Sequence, residues 1–244
     1  MRFLLKKEIL GFFSSLTGYL VIIVFLVITG LCLWVLPGVL NIPENGYASL
    51  DSLFFIAPWI FLFLVPAITM RSFSEEIKTG TIELLLTKPV SELELVLAKF
   101  LAAATLVVIS LLPCLIYVVS VWQLGNPPGN LDTGATAGAL IGLVLLGALY
   151  ASIGTFTSSV TDNQVVAFIL AALGCFIFYE GFDALAQLIT SGGIQDIISS
   201  MGIKQHYASI SRGVIDSRDI IYFGGVMCVF ILLTRLKFQS RRWK

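Results

Sequence analysis

Charged residues are scarce in this sequence. They make up 12% of the 244 residues, whereas hydrophobic residues make up 57%. A typical soluble domain carries about 25% charged residues, and so apolar a chain would expose a large sticky surface in water. The formal net charge is zero, so no excess of positive charge indicates a nucleic acid partner. The composition therefore favours a protein that lies in a lipid bilayer.

Motifs for enzymatic chemistry are also missing. The sequence contains no P-loop, no GxGxxG dinucleotide motif, no HExxH zinc motif and no GxSxG nucleophile motif. Its four cysteines lie in four separate apolar runs, away from His206, so they indicate neither a disulfide framework nor a metal site. We expect no catalytic residue, cofactor or metal in this chain.

Ionisable residues are absent from the centres of the long apolar runs. Ion-coupled carriers usually place acids or histidines there, where a charge is costly and therefore functional. Glu180 comes closest, but it lies beside Asp183 near an outer end, where we interpret it as a solvated interfacial carboxylate rather than a proton site. A gradient-driven carrier stays an alternative that this pattern disfavours.

Six apolar stretches meet or approach the length of about 20 residues that a membrane-spanning helix needs. They are residues 17–36, 53–70, 96–122, 135–158, 165–182 and 220–236. No A-x-A-like cleavage site follows the first stretch, so we expect it to be retained as a span. The sequence predicts an all-α polytopic membrane protein, with residues 1–244 as one transmembrane domain.

The basic residues are distributed unevenly over the connecting segments. Twelve of the 15 Lys and Arg residues lie in the amino-terminal segment, in the carboxy-terminal tail, or in the second connection, with which Lys99 is counted. The remaining three lie in the fifth connection, residues 183–219. By the positive-inside rule both termini are cytoplasmic and the fifth connection lies outside, which we interpret as the topology of an inner-membrane protein.

Two segments outside the spans are predicted to contact the membrane. In the fifth connection, apolar patches broken by glycines predict a re-entrant or interfacial helical hairpin. In residues 1–16, four apolar residues share one helical face beside Lys6 and Lys7, which anionic lipid could neutralise. These apolar residues are Leu5, Ile9, Phe12 and Leu16.

The second connection, residues 71–90, contains a short amphipathic pattern. Ser74, followed by Glu75 and Glu76, predicts a helix start, and Pro89 ends the helix. Ser91 and Glu94 form a predicted capping box that leads into the third span. The apolar and small face of the predicted helix consists of Ile77, Gly80, Thr81, Leu84 and Leu85, with Glu75, Lys78, Thr79 and Glu83 largely elsewhere.

This helix has two interpretations. It could lie on the membrane surface as a plain linker, or its apolar face could dock into a groove on a cytoplasmic protein. Gly80 favours docking. A glycine inside a helix destabilises it by about 1 kcal/mol relative to alanine, and we expect such a residue where another backbone approaches the helix closely.

Small residues recur at the start of the fourth span. Gly134, Gly138 and Gly142 are spaced by four residues and form a ridge without side chains. The ridge is expected to pack against another helix of the same subunit, or alternatively to form a subunit interface.

The strings TMRSFSEE at 69–76, GTIELL at 80–85 and TKP at 87–89 resemble the cytoplasmic loop of type-2 ABC exporter permeases. Among these, the strings LGNP at 124–127, GNLD at 129–132 and SRGVID at 211–216 are most similar to the gliding-motility permeases of Bacteroidota, the GldF type. The resemblance implies six spans, a coupling helix after the second span and a re-entrant hairpin before the sixth.

The resemblance also implies partners. These are a separate ATPase subunit of the GldA type, which would hold ATP and magnesium, and a second membrane subunit of the GldG type, in support of gliding and its associated secretion system. We expect a permease dimer or pseudo-dimer. A membrane scaffold that uses the same ATPase to transmit force, without transporting a substrate, stays an alternative.

The distribution of basic residues generates a test of topology. Asn130→Cys and Thr79→Cys, each in a background without the four native cysteines, should react with a membrane-impermeant thiol reagent from opposite sides of the membrane. In intact cells only the Asn130 variant should be labelled. Labelling of the Thr79 variant from outside would overturn the predicted topology.

Overall fold

The computed structural model describes residues 2–86, 91–189, 192–214 and 216–242. Within these ranges the chain forms helices and no strand, and six helices are long and apolar enough to cross a membrane. The six spans are Gly18–Val35, Asp51–Lys78, Glu92–Leu124, Thr133–Val160, Gln164–Gln187 and Ser217–Ser240. The predicted all-α fold with six spans is confirmed.

The α-helices of the described ranges are numbered in chain order. They are α1 (Arg2–Phe13), α2 (Leu16–Gly30), α3 (Ile42–Asn45), α4 (Asp51–Thr69), α5 (Ser74–Lys78), α6 (Thr81–Leu86), α7 (Glu92–Leu111), α8 (Leu115–Leu124), α9 (Thr133–Val160), α10 (Gln164–Phe176), α11 (Phe182–Gln187), α12 (Gly192–Ser200), α13 (Ile203–Ser211) and α14 (Ser217–Arg242). A 3₁₀ turn at Pro113 joins α7 to α8, and a π-helical turn, Ile177–Gly181, joins α10 to α11.

The fourth span, α9, is the centre of the fold. It packs against α4, α7, α10, α13 and α14. Its small residues allow these approaches: a Cβ on Gly154 would overlap Thr69 Oγ1 and lie 2.8 Å from Thr69 Cβ, and a Cβ on Gly147 would overlap Val107. Helices in a bilayer associate through such close packing, since apolar side chains gain little by leaving lipid.

The glycine ridge of α9 packs within the chain. A Cβ on Gly138 would lie 2.7 Å from Gly213 Cα, and one on Gly142 would lie 3.2 Å from Ile210 Cγ2. At Gly134 the nearest such atom is Asp132 Oδ1, at 3.4 Å. The turn and helix of α13 therefore occupy the surface of Gly138 and Gly142, which leaves no room for a second subunit there.

The fifth connection is helical and begins later than predicted, because the fifth span continues through α11 to Gln187.

Helix α13 is buried against α9 through Ile203, Tyr207 and Ile210. Burial raises the pKa of the Tyr207 phenol well above its ordinary value, so the hydroxyl stays protonated and donates to Phe54 O at 2.8 Å. Helix α12 contacts α11 and has no buried residue. The re-entry of this region into the membrane stays a prediction.

Glu180 is ion-paired rather than solvated. Lys204 Nζ lies 2.7 Å from Glu180 Oε1 and 3.6 Å from Asp183 Oδ2. The Glu180 side chain is three-quarters buried, so the interpretation of a freely solvated carboxylate is wrong. The pairing could not be predicted because Lys204 is 24 residues away in sequence.

The amino-terminal helix α1 packs on α7 with the face that was predicted to meet lipid. Ile9 and Phe12 lie against the core, whereas Phe3 and Leu10 are exposed. Leu16 does not belong to this face, since α1 ends at Phe13 and Leu16 begins α2. The outward face of α1 instead combines Phe3 and Leu10 with Lys6 and Lys7, a pattern suited to the lipid interface.

The close approach of α4 to α9 generates a stability prediction. Gly154→Ala should lower the free energy of unfolding by about 1–3 kcal/mol, because the added methyl overlaps Thr69 and forces the two helices apart. Gly224→Ala on α14 is the matched control, since a Cβ there meets no atom within 4 Å. Thermal unfolding in detergent measures both, and equal stability of the two variants would contradict the packing argument.

Candidate functional site

The second connection forms two helices instead of the single predicted one. Helix α5 ends at Lys78, α6 begins at Thr81, and Gly80 between them has a φ of +71°. Residues with a side chain rarely adopt this left-handed conformation, which glycine supplies at helix ends. A Cβ on Gly80 would meet nothing within 4 Å. Gly80 is therefore explained by its backbone conformation, and its predicted place inside a continuous helix is wrong.

Helix α5 is capped by a residue of the fourth span. Ser158 Oγ accepts the N–H groups of Phe73 at 2.9 Å and Ser74 at 3.1 Å, and donates to Met70 O at 3.1 Å. The predicted cap, Ser74, is instead the first residue of α5, and its hydroxyl donates to Met70 O. The prediction fails because an orphan N–H at a helix start can donate to any well-placed oxygen, and α9 supplies one from 84 residues away.

A buried ammonium group joins the second connection to two other helices. Lys99 on α7 is 3% exposed, and its Nζ lies 3.0 Å from both Glu8 Oε1 on α1 and Glu76 Oε1 on α5. It also donates to Ser72 O. These three acceptors match the three N–H donors of the ammonium group. A buried charge is stable only when its donors are satisfied in this way.

We call these four residues the Lys99 cluster: Glu8, Ser72, Glu76 and Lys99. From the sequence alone, Lys99 contributes only to the number of basic residues near the second connection. No local pattern indicates the cluster, because Glu8 lies 91 residues away from Lys99.

The apolar residues of the second connection face the chain's own interior. Ile82 is buried with Phe73, Leu95, Val96 and Phe238, and Ile77 packs against the same group. This small core beneath the loop explains why the predicted apolar docking face is wrong for Ile77. The side chains of Leu84 and Leu85, and residues 87–90, lie outside the described part of the chain.

The exposed side chains of the connection are polar in the part that the structure describes. Its exposed residues there are Arg71, Glu75, Lys78, Thr79, Gly80, Thr81 and Glu83. The predicted capping box at Ser91 and Glu94 is confirmed, with both hydrogen bonds at 3.2 Å, and it starts α7 at Glu92. The connection is thus a polar surface that is fixed to α1, α7 and α9 by buried contacts.

The Ser158 cap generates a paired test. Ser158→Ala removes both hydrogen bonds at the start of α5 and should destabilise it by about 1 kcal/mol, as loss of a cap does. Hydrogen exchange at the Phe73 and Ser74 amides should accelerate. Ser159→Ala is the control, because Ser159 Oγ bonds only Phe156 O within its own helix. Unchanged protection in the Ser158 variant would show that the cap does not hold α5.

Comparison with known proteins agrees with this architecture. Residues 39–201 match the family described as ABC-2 family transporter protein. The match runs from the first connection through the second connection and on to α12. A search among curated proteins finds no match. Since the family covers more than half of the chain, and the described residues include six apolar helices long enough to span a membrane, this protein belongs to the ABC-2 family of transporter proteins as a multi-pass membrane permease.

Proposed function

We propose that this permease works in the bacterial inner membrane with both termini in the cytoplasm, and that α5 and α6 receive the motion of a separate ATPase subunit. Membership of the ABC-2 family supports an ATPase partner. The distribution of basic residues supports the orientation. In this proposal ATP is hydrolysed by the partner subunit, and the contribution of this chain is mechanical.

The observation that carries the proposal is the attachment of an exposed polar loop to three packed helices. A displacement of α5 acts directly on α9, because Ser158 holds the N–H groups of Phe73 and Ser74. It also acts on α1 and α7, because Glu76 shares the Lys99 ammonium with Glu8. Packed helices respond to such a push by shifting as rigid elements.

The contact with the ATPase is proposed to be polar. Glu75, Lys78, Thr81 and Glu83 are exposed on the outward side of the connection, whereas Ile77 and Ile82 are occupied by the small core beneath it. Charges at the rim of an interface give orientation and partner choice more than raw affinity. A polar contact of this kind suits a partner that must move against the permease during a cycle.

A permease dimer would use the outer spans. Less than a quarter of the apolar window is buried in the first, fifth and sixth spans, in contrast to more than half in the other three. These three spans offer surface to lipid or to a second subunit, while the ridge at Gly138 and Gly142 is occupied by α13.

Within the ABC-2 family, we assign this permease to the subgroup that supports gliding motility. The outer-loop strings support a permease of the GldF type, with an ATPase of the GldA type and a second membrane subunit of the GldG type. A force-transmitting scaffold would use the same contact at α5 and α6. It would differ from an exporter by showing partner-dependent ATPase activity without transport.

The proposed contact is tested by exchanging two exposed charges. The double variant Lys78→Glu/Glu83→Lys keeps the net charge but reverses the surface pattern, so recovery of the co-purified ATPase should fall about tenfold or more. The variant should insert in normal amount, since the spans do not depend on these side chains. Asp196→Lys on exposed α12 is the control and should recover the ATPase like the parent.

Normal ATPase recovery with the double variant would leave the connection as a passive linker. The identity of the proteins that co-purify with the parent tests the finer assignment separately. Partners unlike the GldA and GldG types would overturn the gliding assignment and leave the permease function in place.

A further inference from the structure

A cavity of about 440 Å³ lies beside the Lys99 cluster, among α1, the end of α4, α5 and α7. Its volume is within the range of about 300–1,000 Å³ that small-molecule sites occupy. Three cations and three carboxylates line it. They are Lys7, Arg71, Lys99, Glu8, Glu75 and Glu76.

The charges of the lining are balanced in sum but separated in position. Lys99 is shared by Glu8 and Glu76, so this group carries a formal surplus of one negative charge. Lys7, Arg71 and Glu75 together carry one formal positive charge. A ligand with one positive and one negative group matches this separation, whereas a ligand with a net charge does not.

Two carboxylates of the Lys99 cluster keep accessible surface at the cavity. The Glu8 side chain is 24% exposed and the Glu76 side chain is 15% exposed, although both contact Lys99. A carboxylate of this kind accepts charge-assisted hydrogen bonds from a cation that carries N–H groups. A primary ammonium group brings three N–H donors, and a trimethylammonium group brings none.

Apart from Ser15 and Ser72, the remaining lining is uncharged and largely apolar. Its apolar side chains come from α1, from α4 and from α7: Phe12, Ala67, Ile68, Ala102, Ala103 and Leu106. Leu106 is seven residues beyond Lys99 on α7, which places it about 10 Å farther along the helix at 1.5 Å per residue. The cavity thus changes from charged at the end of the spans to apolar toward the bilayer, as a phospholipid does from headgroup to acyl chain.

We propose that this cavity binds a zwitterionic phospholipid with a primary amine, the phosphatidylethanolamine class. Its ammonium group interacts with Glu76 and Glu8, its phosphate interacts with Lys7 and Arg71, and the start of its acyl chains contacts Ile68 and Leu106. The bound lipid would join α1 to the second connection. The proposal requires only that the chain lies in a bilayer, so it holds whether or not α5 and α6 contact an ATPase.

The first experiment compares lipids on the purified full chain in detergent. Dioleoyl phosphatidylethanolamine should bind at least about tenfold more tightly than dioleoyl phosphatidylcholine, which has the same charges but no N–H donors. It should also raise the unfolding temperature. Dioleoyl phosphatidylglycerol, which has no ammonium group, should bind no better than phosphatidylcholine. Native mass spectrometry measures the retained lipid.

Equal binding of the three lipids, or preference for phosphatidylglycerol, would overturn the proposal. Free phosphoethanolamine is the fourth probe, and a stabilisation equal to that of the lipid would assign the cavity to a soluble phosphate ester instead. Little effect of the free headgroup supports the lipid, because the apolar part of the cavity then contributes to binding.

Two variants with matched controls locate the site. Lys7→Gln should weaken phosphatidylethanolamine binding about tenfold, whereas Lys6→Gln, outside the lining, should not. Gly11→Leu should fill the cavity without a clash, since a Cβ on Gly11 meets nothing within 4 Å, and should abolish lipid binding while the fold is kept. Its control is Gly224→Leu on α14. Parent-like binding by both Lys7→Gln and Gly11→Leu would show that the lipid lies elsewhere.

Discussion

The end of this permease that carries the second connection depends on one buried ammonium group. Lys99 lies within a membrane-spanning helix and is 3% exposed, so its charge is tolerated only because Glu8, Glu76 and the Ser72 carbonyl surround it. Removing one partner of such a buried pair typically costs about 3–5 kcal/mol, since the other charge is left uncompensated. Helix α1, the second connection and α7 are therefore held together by a contact that none of them can leave without this penalty.

Around α9, neighbouring helices are held together by close backbone packing. The missing side chains at Gly147 and Gly154 let α7 and α4 approach it, and those at Gly138 and Gly142 admit α13. Ser158 at the end of the same helix caps α5. One helix therefore contacts α13 near its start and the second connection near its end. In the proposed function, α9 carries motion between these two regions.

The second connection shows why an amphipathic pattern alone does not identify a docking face. The apolar residues Ile77 and Ile82 were available either to a partner or to the chain itself, and the chain uses them against Phe73, Leu95 and Phe238. Among the side chains of the connection that the structure describes, those that stay exposed to a partner are polar. The neighbouring cavity is a second consequence of the Lys99 cluster, because two carboxylates that share one ammonium leave a formal surplus of one negative charge in its lining.

The sequence by itself determined that the protein lies in a bilayer, that it has six spans, and that a capping box starts α7. These properties depend on apolar runs of sufficient length and on contacts between residues three or four apart, as in the capping box of Ser91 and Glu94. It also marked the second connection and the glycines of α9 as unusual. Only the tertiary structure decided which side of each helix packs against the rest of the chain and which side stays exposed. The Lys99 cluster, the Ser158 cap and the Glu180 pair join residues that are 23 to 91 positions apart. Such pairings follow from how helices pack rather than from any local spacing.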